Sequence, residues 1–145
     1  IENTYEPSRV AQLERKIIQV AAGGWHSGCI DSENDCYLWG WNNDGQLGAA
    51  STDSLVSTPT RLVIRDDDDE SGRPLKFKRI ALGARHTVLV DTRNRLFSFG
   101  WNKYGQLIGD DDLSGSSLVD VKAGAWNTIV LTHTHTQQQK IMLIK

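Results

Sequence analysis

Gly23-Gly24-Trp25-His26-Ser27, followed by Trp39-Gly40-Trp41-Asn42-Asn43-Asp44-Gly45-Gln46-Leu47, decides the fold because the chain writes it again. Residues 83–87 read Gly-Ala-Arg-His-Thr, and residues 99–107 read Phe-Gly-Trp-Asn-Lys-Tyr-Gly-Gln-Leu. Residues 124–128, Gly-Ala-Trp-Asn-Thr, open a third copy that lacks the second half. Gly23 to Gly40 and Gly83 to Gly100 are both 17 residues apart. The connectors differ: Leu47 to Gly83 is 36 residues, and Leu107 to Gly124 is 17. A unit of fixed internal length with elastic connectors is the mark of stacked supersecondary modules.

Each unit reads as β. Lys16–Ala22 is short, apolar and partly β-branched, and Trp25–Ile30 and Cys36–Trp41 flank turn chemistry at 31–35. Thr60–Ile64 fits a fourth strand. The second copy repeats this with Phe77–Leu82, His86–Val90 and Leu96–Trp101 around the turn at 91–95. Arg9–Val20 has Val10, Leu13 and Ile17 at helical spacing, but Pro7 before it and Ile17, Ile18 and Val20 at its end favour strand-turn-strand. The expectation is an all-β fold, a β-propeller of four-stranded blades with about two and a half blades present. It forms one partial-propeller domain over 1–145, with units at about 16–64, 77–113 and 118–145. Gln46 and Gln106 are expected to tie loop backbone through their amides, and Leu47 and Leu107 to plug the space between blades.

The 145 residues, 39% hydrophobic and 23% charged, suit a globular domain, and a net charge of -2 argues against strong non-specific nucleic-acid binding. No apolar run approaches the ~18 residues of a membrane helix. The opening Ile-Glu-Asn-Thr-Tyr, without Met or a signal pattern, reads as a portion of a longer polypeptide. Open blade edges invite association, so the chain alone is expected to aggregate or melt broadly. Cys29 and Cys36, too few for a disulfide scaffold, would face each other across the 31–35 turn and are expected as free thiols.

Gly-x-x-His-[Ser/Thr] followed by Trp-Gly-x-Asn-x-x-Gly-Gln-Leu-Gly resembles the regulator of chromosome condensation repeat, over about residues 7–128. The resemblance implies a seven-bladed propeller. The first copy keeps the closing Gly48, the second has Ile108 before Gly109, and the third has Asn127 in place of His, departures that imply the C-terminal portion of a larger propeller. The order of motifs is similar to that of a small metazoan member that partners a JmjC-type oxygenase linked to histone H3 methylation and mitosis. The resemblance therefore implies a chromatin-associated interaction scaffold of the nucleus, with the cytoplasm as a second location, whose partners are a JmjC-type oxygenase, histones and the missing propeller blades. No cofactor and no enzymatic activity are implied.

His26 and His86 share one repeat position, which points to a bond with backbone inside each blade rather than to a metal. Gly24-Trp25-His26-Ser27-Gly28 superficially resembles a nucleophile elbow, but its Ser is one place off and no helix follows. Asp67, Asp69, Ser71 and Gly72 begin a calcium-loop pattern that fails at Lys78, where Glu is needed. The acidic runs Asp66, Asp67, Asp68, Asp69, Glu70 and Asp110, Asp111, Asp112 are solvated connectors or, on the functional reading, contacts for a basic partner. Arg73, Lys76, Lys78 and Arg79 around Phe77 read as a strand with Lys76 and Lys78 outward. His133 and His135 alternate with threonines on an edge strand or tail.

Trp25, Trp41, Trp101 and Trp126 read as aromatics packed between blades. They are also similar to the clustered tryptophans of the plant ultraviolet-B receptor branch, whose motif resembles Gly-Trp-Arg-His-Thr. Trp25 and Trp126 take its Trp slot, and Arg85 breaks the pattern. Three functions compete: an interaction scaffold, a guanine nucleotide exchange factor for a small nuclear GTPase, and a tryptophan-based photoreceptor relative. No nucleophile–base pair, phosphate loop or metal cluster supports direct catalysis.

Overall fold

The computed structural model describes residues 7–66, 69–108, 116–134, 136 and 138–144. Among the described residues are ten strands: β1 (Ile17–Ala22), β2 (His26–Asp31), β3 (Cys36–Trp41), β4 (Leu55–Arg61), β5 (Phe77–Leu82), β6 (His86–Asp91), β7 (Leu96–Gly100), β8 (Ser116–Ala123), β9 (Thr128–Thr134) and β10 (Gln139–Ile144). They form three antiparallel sheets, ordered β1-β2-β3-β4, β5-β6-β7 and β8-β9-β10. These are consecutive blades of a partial propeller. β3, β5 and the cores of β2, β6 and β7 fall where the sequence puts them.

The fourth strand is the exception. It spans Leu55–Arg61 rather than Thr60–Ile64 and includes Pro59. A proline lacks the donor that a central strand needs, but β4 is an outer edge, where that loss is tolerated. Residues 7–16 hold no helix, and β1 begins at Ile17.

The three units match in register. Each first strand carries an irregularity at the same place, at Ile17/Gln19, Phe77/Arg79 and Leu118/Asp120. Both β2–β3-type turns are closed alike. Asp31 Oδ1 accepts from the Glu33 and Asp35 amides, and Asp91 Oδ1 accepts from the Arg93 and Arg95 amides. Asn34 and Asn94 take φ of 63° and 69°, a region that Asn tolerates better than most residues. Cys29 pairs with Tyr37 and Cys36 with Ile30, so the cysteines are staggered rather than opposed. Both are buried free thiols. Burial pushes the Cys29 thiol up to about 11 and the Cys36 thiol higher, so neither is a nucleophile at neutral pH.

Two cores result. Ile30, Leu38, Leu47, Phe77, Ile80 and Leu89 fill the space between blades one and two. Val88, Val90, Leu96, Ile108, Val121 and Val130 fill that between blades two and three. Blade two is thus covered on both sides, and all six residues of β6 are buried. Leu47 plugs the first seam as expected, but Leu107 is only half-buried and Ile108 fills the second. The substitution of Ile for the first copy's Gly48 supplies that side chain.

The histidines correct the expectation of a bond within each blade. His26 Nε2 lies 2.7 Å from Thr87 Oγ1, one blade further on, and Thr87 donates to the Gln46 carbonyl at 2.7 Å. His86 repeats this with Thr128 at 3.1 Å, and Thr128 donates to the Gln106 carbonyl at 2.8 Å. Because each threonine proton goes to a carbonyl, each imidazole is the donor through Nε2–H. His26 Nδ1 is left buried without a hydrogen-bond partner. Burial, aided by the nearby His86, lowers the His26 pKa to about 4, and burial lowers that of His86. Both are neutral bolts between blades.

Gly83 stands where the His86 ring packs and where a Cβ would come 2.8 Å from the Gly124 carbonyl oxygen of the next blade. Only glycine permits that approach. His133 lies on β9, which pairs on both sides and is no edge or tail; His135 lies outside the described residues.

Candidate functional site

Antiparallel order sorts the connections onto two faces. The turns before β2, β6 and β9 and the loops after β3 and β7 lie on one. The turns after β2 and β6 and the 62–76 connector lie on the other. The first face is aromatic and the second is ionic.

The aromatic face is built by the repeat itself. Gly40 and Gly100 take φ of +110° and +108° at the strand end, where a Cβ on Gly40 would meet the Trp25 carbonyl oxygen at 2.7 Å. The next amide then bonds back across the turn: Trp41 N–H to the Trp25 carbonyl at 2.8 Å, and Trp101 N–H to the Arg85 carbonyl at 3.0 Å. The loop beyond is pinned by its own side chains. Asn42 Oδ1 accepts from the Leu47 amide and Gln46 Oε1 from the Asp44 amide. Asn102 and Gln106 do the same for Leu107 and Tyr104. The expected role of the glutamine amides is what the structure shows.

Trp25, Trp41 and Trp126 are not buried between blades. Trp25, Trp41, Tyr104 and Trp126 are 55%, 42%, 56% and 49% exposed. Trp25 and Trp41 have ring centroids 5.4 Å apart, and Trp101 lies 5.3 Å from both Tyr104 and Trp126. Arg85 lies over the Trp101 ring at 5.8 Å and pairs with Asp44 at 2.9 Å. The blade interiors are filled by aliphatic residues and Phe77, which leaves the indoles on the rim. Counting from Gly23, Gly83 and Gly124 also corrects the photoreceptor comparison. The second places are Gly24, Ala84 and Ala125; Trp25, Arg85 and Trp126 are third.

The ionic face holds the described part of the acidic run. The Asp66 side chain is only 5% exposed and binds Arg93 at 2.9 Å and Arg95 at 2.7 Å. Asp69 binds Arg93 at 3.1 Å, and hydrogen bonds from Ser71, aided by Arg93, lower its pKa. Arg95 also pairs with Asp91 at 2.8 Å. Glu70 is exposed; Asp67, Asp68, Asp110, Asp111 and Asp112 lie outside the described residues. Asp35 likewise gathers Arg15, Arg61 and Lys76 at 3.0, 2.7 and 2.7 Å. Burial raises its pKa, but Lys76 and Arg61 outweigh that and hold the carboxyl below the usual range. Lys76 is thus turned to Asp35, and Lys78 bonds the Asn94 side chain, rather than both pointing free to solvent. Among the described residues no three His, Cys, Asp or Glu side chains converge as a metal site.

Sequence reasoning missed the aromatic face because periodicity gives the strand, not the exposure of a residue at its end. The signal was available: each of these aromatics lies in a turn or within two residues of a bend glycine.

Comparisons with known proteins agree with this architecture. Models of the regulator of chromosome condensation (RCC1) repeat match residues 33–90 and, in a second form, residues 17–46 and 77–106. The human RCC1 domain-containing protein 1 is 31% identical over 90% of this chain, and the match spans 46% of that protein. The Arabidopsis thaliana ultraviolet-B receptor UVR8 is 32% identical over 90% of this chain and 31% of its own length. The chain thus spans less than half the length of these relatives. In fold it is similar to human WBSCR16, with a TM-score of 0.71 at 19% identity over 95% of this chain and 35% of that one. It is also similar to Prp20p of Saccharomyces cerevisiae, at 0.65 and 20% identity over 89% and 33%, from a structure reported with its binding to Gsp1p and histones. With repeat models matched between residues 17 and 106, the chain belongs to the regulator of chromosome condensation (RCC1) repeat family.

Proposed function

We propose that the chain is part of a propeller scaffold that binds other proteins through its aromatic face. In the finer form of this reading it acts in the nucleus, on chromatin, as binding partner or regulator of a JmjC-type oxygenase, with histones nearby. The observation that carries it is the set of four large aromatics left exposed on one face of a body whose blades are bolted together. Protein interfaces are enriched in Trp and Tyr, and contiguous exposed aromatic surface on a soluble body marks binding. The oxygenase and chromatin terms rest on the 31% identity to the human RCC1 domain-containing protein 1 and on the motif order.

The remaining blades are proposed partners of the same scaffold. Val20 occupies the register position of Ile80 and Val121, which the preceding blade buries to 8% and 2%, yet Val20 is 78% exposed. Ser27 stands where Thr87 and Thr128 each receive an imidazole. The leading side of blade one is a seat for another blade of the same kind.

The test is capture from nuclear extract by the complete natural polypeptide, with partners identified by mass spectrometry. Recovery of a JmjC-type oxygenase is the expected result. Acceleration of nucleotide release from a small nuclear GTPase, without an oxygenase, would overturn it in favour of exchange activity.

A further inference from the structure

The aromatic face carries more than a place to bind; its own contacts state which chemistry it accepts. In the middle unit a planar cation is already seated. The Arg85 guanidinium lies over the Trp101 ring at 5.8 Å, with Asp44 2.9 Å away on its other side chain contact. The Lys103 ammonium lies 5.7 Å from the Tyr104 ring centre. In the first and third units the place of Arg85 is taken by Trp25 and Trp126. Among the described residues, neither of these rings carries a cation, and both are about half exposed.

We propose that this face docks an arginine-bearing segment of a partner protein, with a guanidinium stacking on the exposed ring of Trp25, beside Trp41, or of Trp126, beside Trp101. This rests on the interaction reading above and specifies the partner. The face of an indole carries the negative lobe of the ring quadrupole and attracts cations. Guanidinium suits it better than ammonium, being planar and weakly hydrated. The ionic face offers no such site among the described residues, because its buried carboxylates already hold the chain's own arginines.

The test uses the complete natural polypeptide and three short glycine-spaced peptides bearing arginine, lysine or citrulline. Citrulline keeps the shape of arginine and loses its charge. Binding is read from tryptophan fluorescence as a dissociation constant. Arginine is expected to bind tightest, with citrulline weaker by about three- to tenfold, as an exposed to partly desolvated cation–π contact gives. Trp25→Leu and Trp126→Leu keep apolar area without the indole, and together they are expected to abolish the difference between arginine and citrulline. Trp25→Phe keeps a ring and is expected to retain part of it. Equal binding of arginine and citrulline, or discrimination that survives both leucine substitutions, would overturn the proposal. If nuclear capture is lost in the leucine variant while the peptides are not discriminated, the face docks partners by another chemistry and this inference alone falls. If discrimination is present but no nuclear protein is captured, the scaffold reading falls instead.

Discussion

The two faces of this chain treat their functional groups in opposite ways. On the ionic face, Asp35, Asp66 and Asp91 are buried and held by Arg15, Arg61, Lys76, Arg93 and Arg95. On the aromatic face, Trp25, Trp41, Tyr104 and Trp126 lie open to solvent. Asp66 and Asp69, which look available in the sequence, are consumed within the fold, and aromatic surface that looks like core is left for a partner. The difference teaches that a side chain's suitability for binding is set by its unsatisfied capacity in place, not by its type.

That contrast requires a rigid body between the faces, and the seam supplies it. Thr87→Val keeps shape but strands the His26 Nε2–H and the Gln46 carbonyl, both buried. It should cost about 3 kcal/mol, the penalty for two orphaned groups, measured by chemical denaturation. A cost under ~1 kcal/mol would mean that the seam is held by its apolar core alone.

Arg95→Ala removes one partner from each of Asp66 and Asp91, which lie beneath it. Arg93 still pairs with Asp66, and backbone amides still serve Asp91, so a loss of about 2 kcal/mol is expected, below the roughly 3–5 kcal/mol of a fully broken buried pair. Partner capture should be unchanged. Reduced capture at full stability would move the binding surface to the ionic face.

Acid should separate the seam from the ionic face. His26 titrates at about 4 in the native chain and near 6.5 when unfolded. Below pH ~6.5 the unfolded chain takes up a proton that the native chain refuses, so stability falls with pH, by about 2 kcal/mol at pH 5 from this residue. Asp35 has a lowered pKa, and its contribution, present above the unfolded carboxylate value, is lost only as pH falls below ~4. The decline between pH 7 and 5 therefore belongs to the histidines. It should flatten in His26→Gln, as seen in urea midpoints across that range; an unchanged slope would assign the decline elsewhere.

The smallest effect is expected at Glu70, the exposed member of the acidic run among the described residues. Glu70→Gln should leave stability within ~0.5 kcal/mol and leave partner capture intact. Loss of capture would restore the acidic connector as a contact.

Much of the fold was legible in the sequence because the repeat fixes spacing, and spacing fixes which strands pair. Lys16–Ala22 and Cys36–Trp41 could be read from pattern alone. The fourth strand could not, because Pro59 argues against a strand unless its edge position is known. The seam was half legible. A histidine repeated at 26 and 86 announces a structural role, but its partner Thr87 is 61 residues away and belongs to the next unit. The acidic run was visible as charge, while Arg93 and Arg95, which bind it, sit on a turn that only folding brings close. The aromatic face was least legible, since a tryptophan beside glycine reads equally as core or rim until the aliphatic core is seen to be full.

The most direct test sets the two faces against each other in one assay. Trp25→Ala/Trp126→Ala and Arg93→Ala/Arg95→Ala would be compared in the complete polypeptide, each measured for melting temperature and for affinity to the protein captured from nuclear extract. The aromatic variant should melt as the parent does and lose affinity at least about tenfold, as removal of interface anchors does. The arginine variant should melt earlier and bind normally once folded. Full affinity in the aromatic variant, with loss only in the arginine variant, would contradict the assignment of binding to the aromatic face.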